Sequence, residues 1–520
     1  MVREHGDVTP RASRSRGQLA LSGAVAGGAG IAVAHALTNL LNARATPIQG
    51  VAEVVIEVTP GPVAEAFIQL VGRNDKPILV GGVTLAVIGL GALAGVLSAR
   101  SRLAANLVFL AMAAIALLAL MSRPGFTTAA VIPLAGGVAT WLVVLAFLVD
   151  AVPTRAATGE AEGASPGAGP SRRFVVVAAS VAVAAVAVGA SGRLFGRSLR
   201  AVETTRRLLR LPVTRGAVPA GAELGVPGTT PWRVPSDEFY RIDTALVLPA
   251  IDPNEWRLRI HGMVDQELTL TYEDLLAREM TEAWVTLCCV SNPVGGDLIG
   301  NAWWSGVRIA DLLAEAGVQP GADAVKQTSE DGWTCGTPLE ALTDGRDALL
   351  AVAMNGQPLP VEQGFPARLV VPGLYGFVSA TKWVVDLEVT RFQDFTAYWT
   401  ERGWSARGPV KTQSRIEVPR GGAEVSAGRV RVGGQAWAQH TGIEAVEVRL
   451  DGQGWQRAEL GGVPGNDTWV QWAVSLDVPA GDHTLAVRAT DKSGYTQTAA
   501  RADVVPDGAT GWHTVDFTTT

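Results

Sequence analysis

The segment Thr286–Asn292 carries the residue types with the clearest chemical potential in this chain of 520 residues. It reads Thr-Leu-Cys-Cys-Val-Ser-Asn and contains Cys288 and Cys289, two of the three cysteines. A cysteine thiolate is a soft ligand for a metal. Taken alone, two adjacent cysteines are more typical of small buried residues at the end of a strand. Three cysteines cannot form a disulfide framework, so disulfide bonds do not organise this fold.

The commoner enzyme signatures are absent from the sequence beyond residue 220. That half has no GxSxG, HExxH, GxxxxGK[ST] or CxxCH motif. The six histidines are scattered, which disfavours a histidine-rich metal site: His5, His35, His261, His440, His483 and His513. His35 lies inside an apolar stretch, where it could ligate haem or face a quinone, but no second histidine accompanies it.

A second block of suggestive residues lies downstream of the cysteines. It comprises Met354–Pro360, Gly364–Arg368, Val371–Gly373, Tyr375–Phe377 and Lys382–Trp383. Together with the cysteine segment, this block resembles the molybdenum domain of the sulfite oxidase family. The upstream stretches Phe239–Asp243 and Ile251–Pro253 are similar to the start of that domain, and the resemblance covers roughly residues 235–505.

The resemblance implies a molybdenum–molybdopterin cofactor (Mo-MPT), whose metal is held by the dithiolene sulfurs of a pterin and by one protein thiolate. By position in the family's motif that thiolate is Cys289, and Arg241 and Tyr398 are the other expected catalytic residues. The phosphate of the pterin needs Arg, Lys and backbone N–H donors. The expected cofactor-binding residues are Asp243, Thr244, Asn292, Cys335, Gln363, Arg368, Gly376, Ser379 and Lys382. For Cys335, a buried free thiol is the favoured interpretation.

The sequence also departs from the family's pattern. Pro293 and Val294 occupy positions where sulfite-oxidising members usually carry two arginines, and Gln363 replaces a frequent histidine. Losing an arginine pair removes strong contacts to an anion, so sulfite is a doubtful substrate and a neutral or larger small molecule is favoured. Without a haem-attachment motif or a cysteine cluster, electrons must pass to a separate protein or a quinone. The alternative is a membrane-tethered binding or scaffold protein that retains the fold without catalysis.

Residues 17–190 are mostly apolar, in a chain that is 48% hydrophobic and 18% charged. A net charge of −6 offers no general attraction to nucleic acid. Crossing a bilayer takes roughly 20 apolar residues, and the five predicted spans are Leu19–Leu41, Pro77–Leu97, Leu103–Met121, Thr127–Val149 and Phe174–Ala190. The segment 48–70 contains Glu53, Glu57 and Glu65, so we expect amphipathic helices outside the hydrocarbon, on the extracytoplasmic side.

The distribution of arginines predicts a cytoplasmic amino terminus, because four arginines precede the first span. Five spans then place the soluble half outside the cell. Six arginines that directly follow the fifth span oppose this orientation and favour a cytoplasmic enzyme instead. Ser171–Phe174 resembles a twin-arginine export signal, which would resolve the conflict, although a simple cytoplasmic flank is the plainer interpretation of Arg172 and Arg173.

The predicted fold class is multi-domain, with an all-α bundle of five transmembrane helices, an α+β molybdopterin domain and an immunoglobulin-like β-sandwich. Alternating residues such as Val446, Val448 and Leu450 predict the sandwich. It would also be the domain that makes a homodimer, as the resemblance implies. The expected ranges are a cytoplasmic tail at 1–18, four spans within 19–150, a cytoplasmic linker at 151–173, the fifth span at 174–190, a linker at 191–235, the molybdopterin domain at 236–405, the sandwich at 409–505 and a polar tail at 506–520.

Overall fold

The computed structural model describes residues 15–41, 46–59, 63, 67, 70–71, 74–122, 128–152, 172–195, 199–246 and 248–520. The extreme amino terminus, most of the 151–173 linker, Ser171 of the export-type signal and residues 60–62 lie outside these residues. The chain divides into two compact units, Met1–Ala201 and Val202–Thr520.

The first unit is helical. Its helices among the described residues are α1 (Arg16–Leu40), α2 (Pro47–Val58), α3 (Asp75–Leu97), α4 (Arg102–Met121), α5 (Val131–Ala151) and α6 (Arg172–Phe195). All except α2 are long and apolar enough to cross a membrane, judged by length and composition. The prediction of five such helices is therefore confirmed, while their insertion into a bilayer stays a prediction.

Glycines allow α1 to pack closely against its neighbours. This helix contacts α3, α5 and α6, and a Cβ atom added at Gly23 or Gly95 would collide with the backbone of the facing helix. Small residues at such crossings let two helix backbones approach, which is how apolar helices associate in a lipid environment. The indole of Trp141 in α5 also donates to the carbonyl of Gly27, at 3.0 Å.

Helix α7 (Leu199–Leu208) spans the boundary between the two units. The second unit continues with an α+β region built on two sheets. One sheet has the order β2 (Leu268–Thr271), β1 (Arg257–Gly262), β10 (Val384–Thr390), β5 (Ala324–Ser329) and β6 (Thr334–Pro338). The other has the order β3 (Thr281–Cys288), β4 (Ile299–Arg308), β7 (Leu349–Met354) and β8 (Gln357–Pro358), with β9 (Arg368–Val370) also paired to β7. Three short helices complete this region: α8 (Tyr272–Leu276), α9 (Ile309–Ala316) and α10 (Glu340–Thr343).

The carboxyl-terminal residues form a sandwich of two β-sheets. One sheet has the order β11 (Gln413–Val418), β13 (Gly428–Trp437), β17 (Val470–Val478) and β16 (Glu459–Leu460). The other has the order β12 (Glu424–Val425), β19 (His513–Thr519), β18 (Gly481–Asp491), β14 (Ile443–Leu450) and β15 (Gln456–Arg457). Val446, Val448 and Leu450 of β14 are buried in its core, as their alternation predicts. The immunoglobulin-like assignment itself stays a prediction.

Two expected boundaries are wrong. The segment 506–520 is not a tail, because it contains β19, whose Val515 and Phe517 lie in the sandwich core. The 191–235 segment is not merely a linker, because it contains α7 and because Trp232 is fully buried. The indoles of Trp232 and Trp469 each donate to the other's backbone carbonyl, at 3.2 and 2.9 Å. This segment therefore fastens the sandwich to the rest of the second unit.

Candidate functional site

The end of strand β3 positions the two cysteines differently. Cys288 is the last residue of the strand and its side chain belongs to the hydrophobic core, whereas Cys289 lines an open pocket. The N–H of Cys289 donates to the carbonyl of Leu298, at 2.9 Å, and its carbonyl accepts from the N–H of Asn292, at 3.1 Å. These bonds close residues 289–298 into a compact loop, which we call the thiol loop.

The pocket beside Cys289 contains about 860 Å³ of empty space, including its open mouth. Its lining residues are Phe239, Tyr240, Ile242, Asp243, Thr244, Cys289, Val290, Ser291, Ser329, Asp331, Trp333, Gln363, Arg368, Gly376, Phe377, Ala380, Lys382, Trp383, Trp399 and Trp404. The lining thus combines one thiol with two buried cations and several aromatic rings.

A buried arginine lies at the basic end of the pocket. Arg368 is only 4% exposed, and its guanidinium donates to the carbonyl and the side-chain oxygen of Gln363, at 3.2 and 3.1 Å. It also donates to the carbonyls of Leu369 and Ala380 and lies over the ring of Trp304. All four of these acceptors are neutral. Burial lowers the pKa of Arg368 to about 10, which records the cost of holding this charge away from water.

A second buried cation lies in the same lining. The ammonium of Lys382 donates to Asp243 at 3.0 Å and to the carbonyl of Glu362 at 3.0 Å. Asp243 also accepts from Arg241, at 2.9 Å. Burial lowers the pKa of Lys382 to about 8, although Asp243 opposes this change. Two cations, Arg241 and Lys382, thus pair with Asp243, and an anionic ligand in the pocket would offset the buried charge of Arg368 and add a partner for Lys382.

The pocket also contains a tyrosine, Tyr240. Burial raises its pKa well above the usual value, and the nearby cysteine thiols act in the same direction, so its hydroxyl keeps its proton at neutral pH. The side chain of Gln363 donates to the backbone carbonyl of Tyr240, at 3.2 Å, while accepting from Arg368. This amide therefore links the basic end of the pocket to the chain segment that carries the tyrosine.

Burial raises the pKa of Cys289 as well, and the N–H and hydroxyl of Ser291 oppose that rise. Among the described residues, no group of three or more His, Cys, Asp or Glu side chains could hold a metal ion. A metal beside Cys289 would therefore need further ligands from an organic cofactor, since a lone thiolate does not complete a coordination sphere.

The aromatic part of the lining forms one wall of the pocket. The rings of Trp399 and Trp404 meet edge to face with centroids 6.4 Å apart, and the ring centroid of Phe377 lies 5.8 Å from that of Trp404. Trp333 and Trp383 also line the pocket. Edge-to-face rings of this kind pack apolar groups well and bring little charge to a ligand.

Seven of the residues predicted for the site line this pocket: Asp243, Thr244, Cys289, Gln363, Arg368, Gly376 and Lys382. The other five lie outside the lining: Arg241, Asn292, Cys335, Ser379 and Tyr398. Arg241 reaches the site only through its ion pair with Asp243.

The side chains of the other four outlying residues have partners away from the pocket. Asn292 closes the thiol loop, because its side-chain oxygen accepts from the N–H of Leu298 at 2.9 Å. Ser379 is fully buried and donates to the carbonyl of Tyr375, at 2.9 Å. Cys335 is a buried thiol whose pKa burial raises to about 12, and its sulfur lies 3.3 Å from the hydroxyl of Thr381. The ring of Tyr398 lies under the guanidinium of Arg402, 3.7 Å from its centroid.

Sequence reasoning missed Tyr240, Ser291 and the tryptophan wall. Tyr240 is the immediate neighbour of Arg241 in the Phe239–Asp243 stretch. That stretch was singled out by its resemblance to the family, but Arg241 was chosen from it and Tyr240 was not. Tyr240, and not Tyr398, supplies the phenol in this pocket. Trp399 and Trp404 lie outside the quoted motif blocks, and the contact between Phe377 and Trp404 joins residues 27 positions apart.

Comparisons with known proteins identify the type of domain that contains this pocket. The family model described as "Oxidoreductase molybdopterin binding domain" matches residues 245–399. The uncharacterized oxidoreductase YuiH of Bacillus subtilis is 36% identical over 157 residues, which are 30% of this chain and 76% of that protein. Human mitochondrial sulfite oxidase is 31% identical over 291 residues, 46% of this chain and 53% of the human protein. The chain therefore spans about half the length of that relative.

The second unit thus contains a molybdopterin-binding oxidoreductase domain. The chain belongs to the sulfite oxidase family of molybdopterin-dependent oxidoreductases. Among solved structures, sulfane dehydrogenase SoxCD of Paracoccus pantotrophus is similar, with a TM-score of 0.47 and 24% identity over 59% of this chain and 85% of that one.

Proposed function

We propose that this chain is a membrane-anchored oxidoreductase that uses Mo-MPT to transfer an oxygen atom to or from a small uncharged molecule. The observation that carries the proposal is the single pocket shared by the Cys289 thiol and the buried cations Arg368 and Lys382. A thiol alone would favour a buried structural residue, and cations alone would favour an ordinary anion site. Their combination fits a metal held by a cofactor that ends in a phosphate.

The residues of this pocket fit the cofactor's two ends. The thiolate of Cys289 would ligate molybdenum, and a thiol that coordinates a metal loses its proton even where burial otherwise raises its pKa. The guanidinium of Arg368 and the ammonium of Lys382 would hold the phosphate by charge-assisted hydrogen bonds. The bound group supplies two-electron oxygen-atom transfer. The protein supplies the thiolate, the cations and the shape of the cavity.

The lining favours a substrate without a negative charge. Trp399, Trp404 and Phe377 offer an apolar wall, and neither Pro293 nor Val294 is among the lining residues. The hydroxyl of Tyr240, which keeps its proton at neutral pH, can donate a hydrogen bond to an oxygen of the substrate. An organic S-oxide or N-oxide, or the reduced partner of one, has this combination of an apolar substituent and a polar oxygen.

The cellular arrangement is the remaining part of the proposal. The five apolar helices would anchor the chain in the cell membrane with the second unit on the extracytoplasmic side, in keeping with the arginines before the first span. A separate electron-transfer protein or a quinone would exchange electrons with the site. The sandwich, which we propose to be immunoglobulin-like, could also make a homodimer.

The proposal is tested with the full-length chain purified in detergent. Molybdenum and pterin content are measured first, and then turnover of a panel of S-oxides, N-oxides and sulfite with an artificial electron donor or acceptor. We expect stoichiometric molybdenum and pterin, and activity on an uncharged oxide that exceeds activity on sulfite. A chain that holds the cofactor but turns over none of the panel would favour the non-catalytic scaffold. A chain that binds neither molybdenum nor pterin would refute the proposal.

The side of the membrane is tested separately. A reporter that is active only outside the cytoplasm is fused after Thr520. Activity of the reporter supports the extracytoplasmic arrangement, and its inactivity together with an intact fusion protein would favour the cytoplasmic one.

A further inference from the structure

The sandwich contacts the thiol loop directly through one buried arginine. Arg415 lies on strand β11 and is 6% exposed. Its guanidinium donates to the backbone carbonyl of Gly296, at 2.7 Å. Gly296 lies within the thiol loop that begins at Cys289, so a side chain of one domain holds the backbone of the loop that carries the candidate metal ligand.

Arg415 is itself fixed by several neighbours. Its guanidinium pairs with Glu417 and donates to the hydroxyl of Thr230, at 3.3 Å, and it lies 5.7 Å from the ring centroid of Trp469. Glu417 accepts from the N–H and the hydroxyl of Thr230, at 2.8 and 2.6 Å. The planar fork of the guanidinium therefore has a defined orientation, which a flexible surface arginine would lack.

A second contact from the sandwich lies one residue away. The imidazole of His513, on strand β19, occupies the space that a Cβ atom on Gly295 would need. The same imidazole accepts from the N–H of Ile416 through Nδ1, at 2.9 Å, so β11 holds its position. Gly295 adopts a φ of +80°, a conformation that favours glycine. Glycine is therefore required at this position for two reasons: the positive φ of the turn and the close packing of the His513 ring.

The contact with Gly296 is connected to Cys289 through the loop's own hydrogen bonds. A Cβ atom on Gly296 would collide with the side-chain oxygen of Asn292, so these two residues are in close contact. That oxygen accepts from the N–H of Leu298, and the carbonyl of Leu298 accepts from the N–H of Cys289. A displacement of the backbone at Gly296 can therefore be transmitted to the backbone of Cys289 through its contact with Asn292 and through the two hydrogen bonds of Leu298.

We infer that Arg415 is a positioning residue through which the sandwich holds the thiol loop, so that the sulfur of Cys289 faces the pocket. The sandwich then has a role within a single chain, separate from any homodimer. His513 supports the same role by packing against Gly295. Only the consequence for a bound metal rests on the proposed function, because the contacts with the loop are made by the chain alone.

The first test measures hydrogen exchange at the amides of residues 289–298 in the full-length, cofactor-free chain in detergent. The variant Arg415→Gln/Glu417→Gln removes the guanidinium together with the carboxylate that would otherwise be left buried without its partner. The matched control, Glu417→Gln, changes the same network but retains the donor to the Gly296 carbonyl. We expect exchange at the Cys289 and Leu298 amides to become about 10-fold faster or more in the double variant, and to change by less than about twofold in the control. Equal rates in the two proteins would overturn the inference.

A milder variant covers the case in which the double variant does not fold. Arg415→Lys keeps a positive charge for Glu417, but one ammonium cannot replace a planar fork that spans Glu417, Thr230 and Gly296. We expect faster exchange in the thiol loop here too, with little change at the core strands β13 and β17. Unchanged exchange in the loop would overturn the positioning role.

A second readout applies to the cofactor-loaded protein. We expect the double variant to shift the absorption band of the cysteine–metal bond at unchanged molybdenum content, while Glu417→Gln leaves the band unchanged. An unaltered band in the double variant would overturn the positioning role. If the chain holds no molybdenum, the proposed function fails, yet the exchange experiment still decides whether Arg415 holds the loop.

Discussion

The substitution Arg368→Gln separates a cofactor-binding role for this residue from a structural one. Burial lowers the pKa of Arg368 from 12.5 to about 10. Each pKa unit corresponds to about 1.36 kcal/mol, so keeping the guanidinium charged in the cofactor-free protein costs about 3 kcal/mol. Its four hydrogen bonds go to neutral oxygens at 3.1 to 3.5 Å and stabilise the folded chain by an amount of about the same size. The two contributions roughly cancel.

We therefore expect the free energy of unfolding of the cofactor-free Arg368→Gln protein to stay within about 1 kcal/mol of the parent. For a domain of this size that corresponds to a change of about 3 °C or less in the thermal midpoint. Cofactor binding should weaken much more, because a charge-assisted hydrogen bond contributes about 1.5–3 kcal/mol, equivalent to about 10-fold or more in affinity.

The assay compares full-length proteins in detergent. The thermal midpoint is measured on chains from a host that cannot make the pterin, and pterin content on chains from a host that can. Arg259→Gln is the control, because Arg259 is exposed and pairs only at the surface with Glu267; it should change neither quantity. A fall of about 8 °C or more in cofactor-free Arg368→Gln would identify a structural arginine and refute the reasoning, since leaving several buried acceptors without a donor costs about 1–3 kcal/mol each. Full retention of the pterin would refute it as well.

Three further predictions concern pH and specificity. Burial lowers the pKa of Lys382 to about 8, so its charge is present below that pH and lost above it. We therefore expect the affinity of the cofactor-free chain for molybdopterin to fall as pH rises past about 8. The Lys382→Gln variant should bind molybdopterin more weakly and without this pH dependence. Burial lowers the pKa of His513 from 6.5 to about 4. The unfolded chain therefore takes up a proton first, and stability is lost as pH falls from 6.5 towards 4, by at most about 3 kcal/mol. The thermal midpoint of His513→Gln should fall less in acid than that of the parent, and an identical fall would contradict the assignment. Trp404→Ala should lower kcat/KM for an S-oxide with an apolar substituent by about 10-fold while leaving the value for sulfite nearly unchanged; equal losses for both would show that the aromatic wall does not select the substrate.

Local sequence patterns were sufficient where the structure depends on neighbouring residues. The alternation at Val446, Val448 and Leu450 predicted β14, because a strand alternates its faces every residue. Threonine is a common residue immediately before a helix, and Thr271 precedes α8, where its hydroxyl accepts from the N–H of Asp274 at 3.0 Å. The resemblance of the motif blocks to a known family, rather than a local pattern, implied that Cys289 and Arg368 share a site, and both line the pocket.

Long-range contacts explain the expectations that were wrong. Trp232 lies in a segment rich in proline and glycine, which is typical of a linker, and only its partner Trp469 reveals that it is buried. The segment 506–520 is polar and was therefore expected to be a tail, and only its pairing with β18 places Val515 and Phe517 in the sandwich core. The tyrosine of the pocket was misassigned for the same reason, because spacing along the chain does not show which phenol faces the cavity.

X-ray absorption at the molybdenum edge, which counts the sulfur atoms bound to the metal, tests the central claim most directly. The account predicts that Cys289→Ser lowers this count by one relative to the parent chain, and that Cys288→Ser leaves it unchanged because Cys288 packs in the hydrophobic core. An identical sulfur count in Cys289→Ser and the parent, or the loss of a sulfur in Cys288→Ser, would contradict the assignment of Cys289 as the metal ligand.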